Sequence, residues 1–265
     1  MGQTLQSGDS GRNTDTMKKI AMPLLLVFVM FSLAACSADD AVENYGSATV
    51  GSYIRFGTYE QDNNQSNGNE SIKWLVLAKE DYKLLVISKD NLAYRQFHGE
   101  YVANTVWENC DLRTWLNEEF LQDAFSVKER DAILTTSVGV DISVHGDEFQ
   151  GNGTQDKIFI LSASEAEMYF AEDSDRIAQN TESVKKYLSE KFFCPGDSDE
   201  HCWWLRTRAG GIQFGDGSLT VASDFVDDNG CINDRSTLFI ESSGSHTSYY
   251  GIRPVLWIDL NSWQE

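Results

Sequence analysis

Basic residues are scarce in this chain, since 21 lysines and arginines stand against 41 aspartates and glutamates, which gives a formal net charge of −20. Nucleic acids and anionic lipid surfaces carry negative charge themselves, and proteins that bind them present clusters of basic residues. We therefore expect no nucleic-acid partner and no attachment to a membrane through charge. The composition is typical instead of a soluble domain whose copies repel one another.

The usual signatures of catalysis are also missing from the sequence. It contains no Gly-x-Ser-x-Gly nucleophile elbow, no His-Glu-x-x-His zinc motif and no phosphate-binding P-loop. Histidines are few, and all lie in polar, loop-like surroundings that favour a surface position: His98, His145, His201 and His246. Carboxylates are so abundant that no pair stands out as a general acid and base. We assign no catalytic residue and no cofactor.

Cysteine spacing gives neither a metal site nor a definite disulfide. Cys110 lies on the apolar side of a predicted helix, which favours a buried free thiol. Cys194, Cys202 and Cys231 then compete for one bridge, and the sequence does not decide among the pairings. These three cysteines and His201 together form a set of four side chains that can bind zinc. However, the sequence has no Cys-x-x-Cys pair, and His201 and Cys202 are adjacent, which makes it awkward for both to bind one ion. We predict no zinc site.

A cluster of aspartates between residues 224 and 234 suggests a calcium loop at first sight. The EF-hand spacing fails, because placing Gly230 at the sixth position puts Phe225 at the first ligand position and Ser236 at the twelfth. The letters DDNG, at residues 227–230, instead predict a hairpin turn in which Asn229 and Gly230 supply positive φ angles. No metal ligand is assigned.

An export signal is predicted near the N-terminus. Met17 begins a segment with two lysines and an apolar run that ends in Leu-Ala-Ala-Cys at Cys36, and this ending resembles a bacterial lipobox. That resemblance implies a lipid on Cys36 that holds the protein on a membrane, facing outside. The predicted organisation is a spurious extension at 1–16, a lipoprotein signal peptide at 17–35, a tether at 36–49 and a globular domain at 50–265.

Strand and helix patterns alternate irregularly along residues 50–265. Two strands, Ile72–Lys79 and Lys83–Lys89, are joined by a tight acidic turn. Capping-box spacing at Thr105 with Glu108 and at Ser126 with Glu129 predicts two helices, and the letters SASEAEMYF begin a third. Strands return near the C-terminus. This order predicts a single α+β domain rather than repeated βαβ units.

Six ordered blocks carry a family resemblance. They read GSYIRFGTYEQ, IKWLVLAKEDYKLLVISKDNL, VWENCDLRTWLNEEFLQDAFS, DKIFILSASEAEMYF, WWLRTRAGG and GIRPVLWI. In this order they resemble the bacterial domain-of-unknown-function family 6273. The closing Trp-Leu-Arg and Gly-x-Arg-Pro also resemble C-type-lectin-like and formylglycine-generating-enzyme-like domains. That resemblance implies a mixed sheet with long loops and a few flanking helices, although the calcium-binding triplets of sugar-binding lectins are missing.

Two arginines and four aromatic rings are the candidate site residues. Arg206 and Arg253 lie in apolar strands, so each is either a buried tie to carbonyls or carboxylates or a ligand contact. Three predicted loops, 208–217, 225–235 and 241–250, are rich in Gly, Ser, Asp and Asn. The aromatic anchors predicted in these loops are Phe214, Phe225, Tyr249 and Tyr250. We expect a surface module that recognises a glycan or a protein, with a structural envelope protein or an enzyme as alternatives.

Overall fold

The structure is a computed structural model that describes residues 45–100, 102, 105–141, 151–191, 201–213, 219–240 and 248–263, and of 210–213, 219–222 and 234–240 the backbone alone. The chain divides into Met1–Ala38 and a compact unit, Asp39–Glu265. Cys36, Cys194, Phe214 and the predicted signal peptide lie outside the described residues. Within the described ranges, no helix is both long enough and apolar enough to cross a membrane.

Strands and helices mix along the compact unit, which confirms the predicted α+β class. The strands are β1 (Tyr53–Tyr59), β2 (Glu70–Glu80), β3 (Lys83–Ser88), β4 (Ala93–Gln96), β5 (Thr136–Val138), β6 (Thr154–Asp156), β7 (Trp203–Gln213), β8 (Leu219–Val226), β9 (Ile232–Ile240), β10 (Tyr249–Ile252) and β11 (Val255–Asp259). The α-helices are α1 (Asp111–Trp115), α2 (Leu121–Ala124), α3 (Val127–Ala132), α4 (Ala163–Tyr169), α5 (Asp173–Arg176) and α6 (Glu182–Lys191). A π-helical turn, Leu116–Phe120, joins α1 to α2.

The first sheet has the strand order β1-β2-β3-β11, with antiparallel pairing throughout. The β2–β3 hairpin confirms the predicted pair of strands, and its acidic turn places Asp81 at a positive φ of 33°. The β3 strand is buried along nearly its whole length, because β2 and β11 cover both of its edges and side chains cover its faces. The first and the last of the described strands, β1 and β11, thus form the two edges of one sheet.

The second sheet has the order β4-β10-β7-β8-β9 and holds the C-terminal segment of the predicted site. Strands β7, β8 and β9 form an antiparallel meander, while β10 contacts β7 in parallel through Gly251 and Trp203. Gly251 has to lack a side chain, because a Cβ there meets the Asn91 side-chain amide. Asn91 is buried and donates to Asn180, which fixes it against the strand.

One hydrophobic cluster contains residues of the four-stranded and five-stranded sheets and of α1, and a third, two-stranded sheet is formed by β5 and β6. Trp74, Trp203 and Trp204 are among the cluster's largest fully buried side chains. Consecutive Trp203 and Trp204 point to opposite sides of β7, so both sides of this strand are covered at its start. Each indole N–H is satisfied by a carbonyl, that of Arg176 for Trp203 and that of Arg95 for Trp204.

One of the two predicted capping boxes is confirmed, and a further box begins a helix for which none was predicted. Ser126 caps α3 together with Glu129, and the same reciprocal pair of bonds opens α4 at Ser162. The predicted box at Thr105 and Glu108 is wrong. The Thr105 hydroxyl donates to the Val102 carbonyl instead, and α1 begins only after Cys110, whose sulfur accepts from a backbone N–H.

The predicted loops of the C-terminal segment are shorter than expected. The β7 strand continues to Gln213, and β9 occupies most of the segment expected as a loop after residue 230. The DDNG turn itself is confirmed, with the Asp227 carboxylate accepting from the N–H groups of Asn229 and Cys231. Gly230 has the expected positive φ, +82°, but the positive φ predicted for Asn229 is wrong. The β7–β8–β9 meander therefore occupies much of the sequence for which two of the three recognition loops, 208–217 and 225–235, were predicted.

The globular domain begins earlier than residue 50. Tyr45–Ser47 forms a 3-10 helix, and the Tyr45 ring packs 5.6 Å from that of Trp263 and beside Phe56. The Tyr45 hydroxyl donates to the Arg55 carbonyl, and Ala48 is fully buried. The described part of the predicted tether is thus packed on the domain.

Candidate ligand-binding cleft

Arg206 is an internal tie between β7 and α4. It is 6% exposed, and its guanidinium donates to both carboxylate oxygens of Glu165 and to the Ile160 carbonyl at 2.8 Å. Glu165 also accepts from the backbone N–H of Ser162 at the start of α4. The pair therefore joins the strand to the capped end of the helix, which is the structural role weighed for this arginine from the sequence.

Arg253 is buried more deeply, at 2% exposure. Its Nε donates to the Ser88 carbonyl at 3.0 Å and its Nη1 to the Arg176 carbonyl at 3.2 Å. The guanidinium carbon lies 4.9 Å from the ring centre of Trp203 and 5.7 Å from that of Phe170. Burial lowers the pKa of Arg253 to about 10. The donors of Arg253 thus bond to backbone carbonyls inside the fold.

Two of the four predicted aromatic anchors face inwards. Tyr250 is 9% exposed and stacks on Phe225, with ring centres 4.7 Å apart and planes 21° apart. The ring centre of Trp204 also lies 4.7 Å from that of Tyr250. Phe225 is half-buried and packs against the core. The expectation of an exposed anchor is thus wrong for Tyr250, and Phe225 offers only a partial surface.

Tyr249 is half-buried and lines a cleft of about 320 Å³. The cleft is lined by Tyr94, Arg95, Gln96, Gly99, Asp111, Leu112, Tyr187 and Tyr249, and we call it the tyrosine cleft. Strand pairing creates it, because β10 places Tyr249 opposite Gln96 on β4. The α6 helix, which contacts β4, contributes Tyr187, and the start of α1 contributes Asp111. Its size lies within the roughly 300–1,000 Å³ usual for small-ligand sites.

Asp111 is held in position by one of its two carboxylate oxygens. Oδ2 accepts from the Gly99 N–H at 2.7 Å and lies 3.1 Å from His98 Nδ1. Gly99 permits this close approach, because a Cβ there lies 3.2 Å from the same oxygen. The side chain is 64% exposed, and Oδ1 has no hydrogen-bond partner among the residues that the structure describes. This oxygen is available to a ligand donor.

Arg95 is fixed on an aromatic surface. Its guanidinium carbon lies 4.4 Å from the ring centre of the buried Trp115, and its backbone carbonyl accepts from Trp204 Nε1 at 2.8 Å. The residue is exposed, and within the described ranges its guanidinium makes no hydrogen bond and no ion pair. A cation held over a ring and open to solvent is ready to pair with an anion.

The remaining polar groups of the cleft complete its chemistry. The Gln96 amide and the Tyr187 hydroxyl have no hydrogen-bond partner in the described part of the chain. Three phenol rings, at residues 94, 187 and 249, offer apolar faces with polar edges. A carboxylate, an amide and aromatic faces together suit a ligand that has both hydroxyl groups and flat apolar patches.

Of these cleft residues, only Tyr249 is predicted from the sequence as a site residue. Tyr94 and Gln96 belong to a short strand whose partner lies more than 150 residues away, and Tyr187 belongs to a weakly amphipathic helix. No local pattern marks such residues. Only the pairing of β4 with β10 brings them together.

The three described cysteines lie in separate surroundings, and none is grouped with two other metal-ligating side chains within the described residues. Cys110 is a buried free thiol, as expected, and burial raises its pKa to about 12. Cys231 is half-buried with its sulfur 3.4 Å from Asp173 Oδ2, which raises the pKa of the thiol. Cys202 is buried with its sulfur 3.3 Å from Asp228 Oδ1. Since Cys194 lies outside the described residues, the pairing of the C-terminal cysteines stays open.

Glu60, Asp62 and Glu70 bring carboxylate oxygens within 4.8 Å of one another. These groups cap the loop between β1 and β2, since Glu70 accepts from the Gln61 N–H at 2.7 Å and Asp62 accepts from the Asn64 N–H at 2.8 Å. All three are at least partly exposed. The capping bonds explain their arrangement, and we assign no metal to it.

Fold and cleft together define the class of the protein, an α+β domain with a preformed, tyrosine-lined surface cleft. The family model described as a domain of unknown function, DUF6273, matches residues 81–260, and the chain belongs to that family. No curated protein and no solved structure gives a significant match to the chain. Function has to be inferred from the cleft itself.

Proposed function

We propose that this domain is a recognition module, displayed outside the cell, that binds a glycan in the tyrosine cleft. The observation that carries the proposal is the combination of aromatic faces with unpaired polar groups in a concave site. A sugar ring has apolar faces that stack on aromatic rings and a rim of hydroxyls that bonds to carboxylate and amide groups. Asp111 Oδ1 and the Gln96 amide supply such partners.

The dimensions of the site favour a glycan over a folded protein. A stable protein interface involves roughly 20–30 residues on each partner, whereas eight residues line the cleft. Two of the aromatic rings first expected to form a broader surface, Tyr250 and Phe225, pack against each other. The resemblance of the closing Trp-Leu-Arg and Gly-x-Arg-Pro blocks to C-type-lectin-like domains is a further, sequence-based support.

Display outside the cell follows from the predicted lipid on Cys36. Since Tyr45 already packs on the domain, the residues from 36 to 44 alone separate the lipid from the fold. At about 3.5 Å per residue this segment reaches at most about 30 Å. A domain so attached stays close to the membrane, where its ligands are cell-surface or cell-wall polymers.

The test is a glycan array probed with residues 39–265 and two tyrosine variants. Tyr249→Ala removes a ring of the cleft, while Tyr82→Ala removes a 65% exposed ring in the β2–β3 turn of the other sheet. We expect wild-type protein and Tyr82→Ala to bind the same glycans. Tyr249→Ala should bind them about tenfold or more weakly, as for an aromatic anchor worth roughly 1–3 kcal/mol.

The alternatives from the sequence are outcomes of this experiment. Shortening of a bound glycan during incubation indicates an enzyme. Binding of no glycan, or equal weakening by both tyrosine variants, rejects the cleft as a glycan site and favours a structural envelope protein.

A further inference from the structure

We infer that the saccharide bound in the tyrosine cleft carries an ammonium group, as a sugar with a free amine does, and that this group pairs with Asp111. The inference rests on the proposed function and names the class of glycan. Its basis is that unpaired oxygen acceptors and aromatic rings meet in a cleft whose lining offers a ligand negative charge.

The charge of the cleft comes from Asp111. The lining residues include two charged side chains, those of Arg95 and Asp111. Successive side chains of a strand point to opposite faces, so the Arg95 side chain lies on the other face of β4 from its neighbours Tyr94 and Gln96. There its guanidinium rests on the Trp115 ring. Among the lining residues, the Asp111 carboxylate is therefore the charge that a ligand in the cleft meets.

Two side-chain oxygens converge beside Gly99, which has no side chain to fill the space between them. From the point where a Cβ of residue 99 would lie, Asp111 Oδ2 is 3.2 Å away and Gln96 Oε1 is 4.0 Å away. Oδ2 is occupied by the Gly99 N–H and His98, whereas Asp111 Oδ1 and the Gln96 amide have no hydrogen-bond partner in the described ranges. An ammonium group has three donors and no acceptor, so it matches this pair of acceptors.

Tyrosine rings border the same region. Tyr249 lies opposite Gln96 across the β4–β10 pair, and Tyr94 precedes Gln96 by two residues, so the three side chains share one face of the sheet. Tyr187 adds a ring from α6. The face of a phenol ring carries partial negative charge and attracts a cation that lies within about 6 Å of its centre. Several such rings beside a carboxylate suit an ammonium group.

An amino sugar also uses the hydroxyl-binding chemistry of the cleft. Its amine and a hydroxyl lie on neighbouring carbons, and a carboxylate oxygen has two lone pairs, so Asp111 Oδ1 can accept from both groups. The apolar face of the sugar ring stays free to stack on a tyrosine. The ammonium group thus adds to the contacts of a neutral sugar and replaces none of them.

The surroundings of the cleft favour a cation over an anion. The chain has a net charge of −20, which attracts cations at long range. On α6, Lys185 pairs with Glu182 and Lys186 pairs with Glu190, so each positive charge just before Tyr187 is offset by a carboxylate. A ligand ammonium group therefore approaches an acidic surface.

The experiment compares matched pairs of oligosaccharides. Short oligosaccharides of glucosamine or galactosamine, whose amines are free, are measured beside the same compounds after N-acetylation, by titration calorimetry with residues 39–265, the compact unit. The titrations are run at about pH 6, below the pKa of about 8 of an α-amino group, so that the amines are protonated. We expect at least one free-amine compound to bind about fivefold or more tightly than its acetylated partner, as for an exposed ion pair joined by a cation–π contact.

Asp111→Asn should abolish this difference, because it removes the charge and keeps an oxygen that accepts from the Gly99 N–H. Asp81→Asn is the matched control, since Asp81 is exposed in the β2–β3 turn of the other sheet and its replacement removes the same charge. It should keep the preference for the free amine, whereas a preference caused by the overall charge of the chain would change equally in both variants. Unfolding curves should show that Asp111→Asn stays folded.

Three results overturn this inference and leave glycan binding standing: equal or tighter binding of the acetylated compounds, a preference that survives in Asp111→Asn, and an equal loss of preference in both aspartate variants. Binding of neither series also overturns it alone when the array has found other glycans. Binding of neither series and of no glycan on the array overturns the proposed function as well.

Discussion

Replacing Arg253 with methionine and with alanine separates the two contributions of this side chain to stability. Methionine keeps an apolar chain against Trp203 and Phe170 but removes the donors to the Ser88 and Arg176 carbonyls. The Arg176 carbonyl retains the Trp203 indole as a donor, so the main loss is at Ser88. An unpaired buried carbonyl costs about 1–3 kcal/mol. Methionine also removes the cost of burying a charged guanidinium, which offsets part of this loss. We therefore expect Arg253→Met to lower the free energy of unfolding by about 1–2 kcal/mol.

Alanine also leaves a cavity between the two rings. Truncation of a long buried side chain to alanine costs about 2–5 kcal/mol, so we expect Arg253→Ala to lose about 3–5 kcal/mol in total. The assay is urea unfolding of residues 39–265 followed by tryptophan fluorescence, with equal m-values required of each variant. Arg55→Ala, at an exposed position, should stay within about 0.5 kcal/mol of wild type. Arg253 variants that are as stable as wild type would refute the assignment of this arginine as a buried tie.

Two further predictions concern cysteines. Cys36→Ser removes the acceptor of the predicted lipid, so the protein should leave the membrane fraction of cells, and unchanged fractionation and mass would contradict the anchor. Burial raises the pKa of Cys110 from 9.0 to about 12. The unfolded thiol ionises near pH 9 while the folded thiol stays protonated, so its contribution to stability is complete below pH 9 and is lost as the pH rises towards 12. The free energy of unfolding of Cys110→Ser should therefore fall less steeply with pH over that range than that of wild type. An equal fall in the two proteins would contradict the buried thiol.

Local features of the fold follow from the sequence because their causes are local. The predicted capping box at Ser126 needs only a side chain and a glutamate three residues later, and the box at Ser162, which was not predicted, has the same spacing. The β2–β3 hairpin and the DDNG turn depend on neighbouring residues, and Gly230 adopts the expected positive φ.

The candidate site depends on pairing between distant strands, which no local pattern encodes. Tyr249 and Tyr250 are adjacent, and the sequence alone ranks them equally as anchors. Their pairing opposite Gln96 and Arg95 decides which ring lines the cleft and which ring stacks on Phe225. A shift by one residue exchanges their roles. The same long-range pairing explains why Tyr187 and Asp111 were missed.

The central claim is that the tyrosine cleft is the glycan site, and a crystal structure with the tightest-binding glycan of the array tests it most directly. We predict a sugar ring against at least one of Tyr94, Tyr187 and Tyr249, with a hydroxyl within hydrogen-bond distance of Asp111 Oδ1. A glycan bound elsewhere on the domain, with the cleft holding only solvent, would contradict the claim.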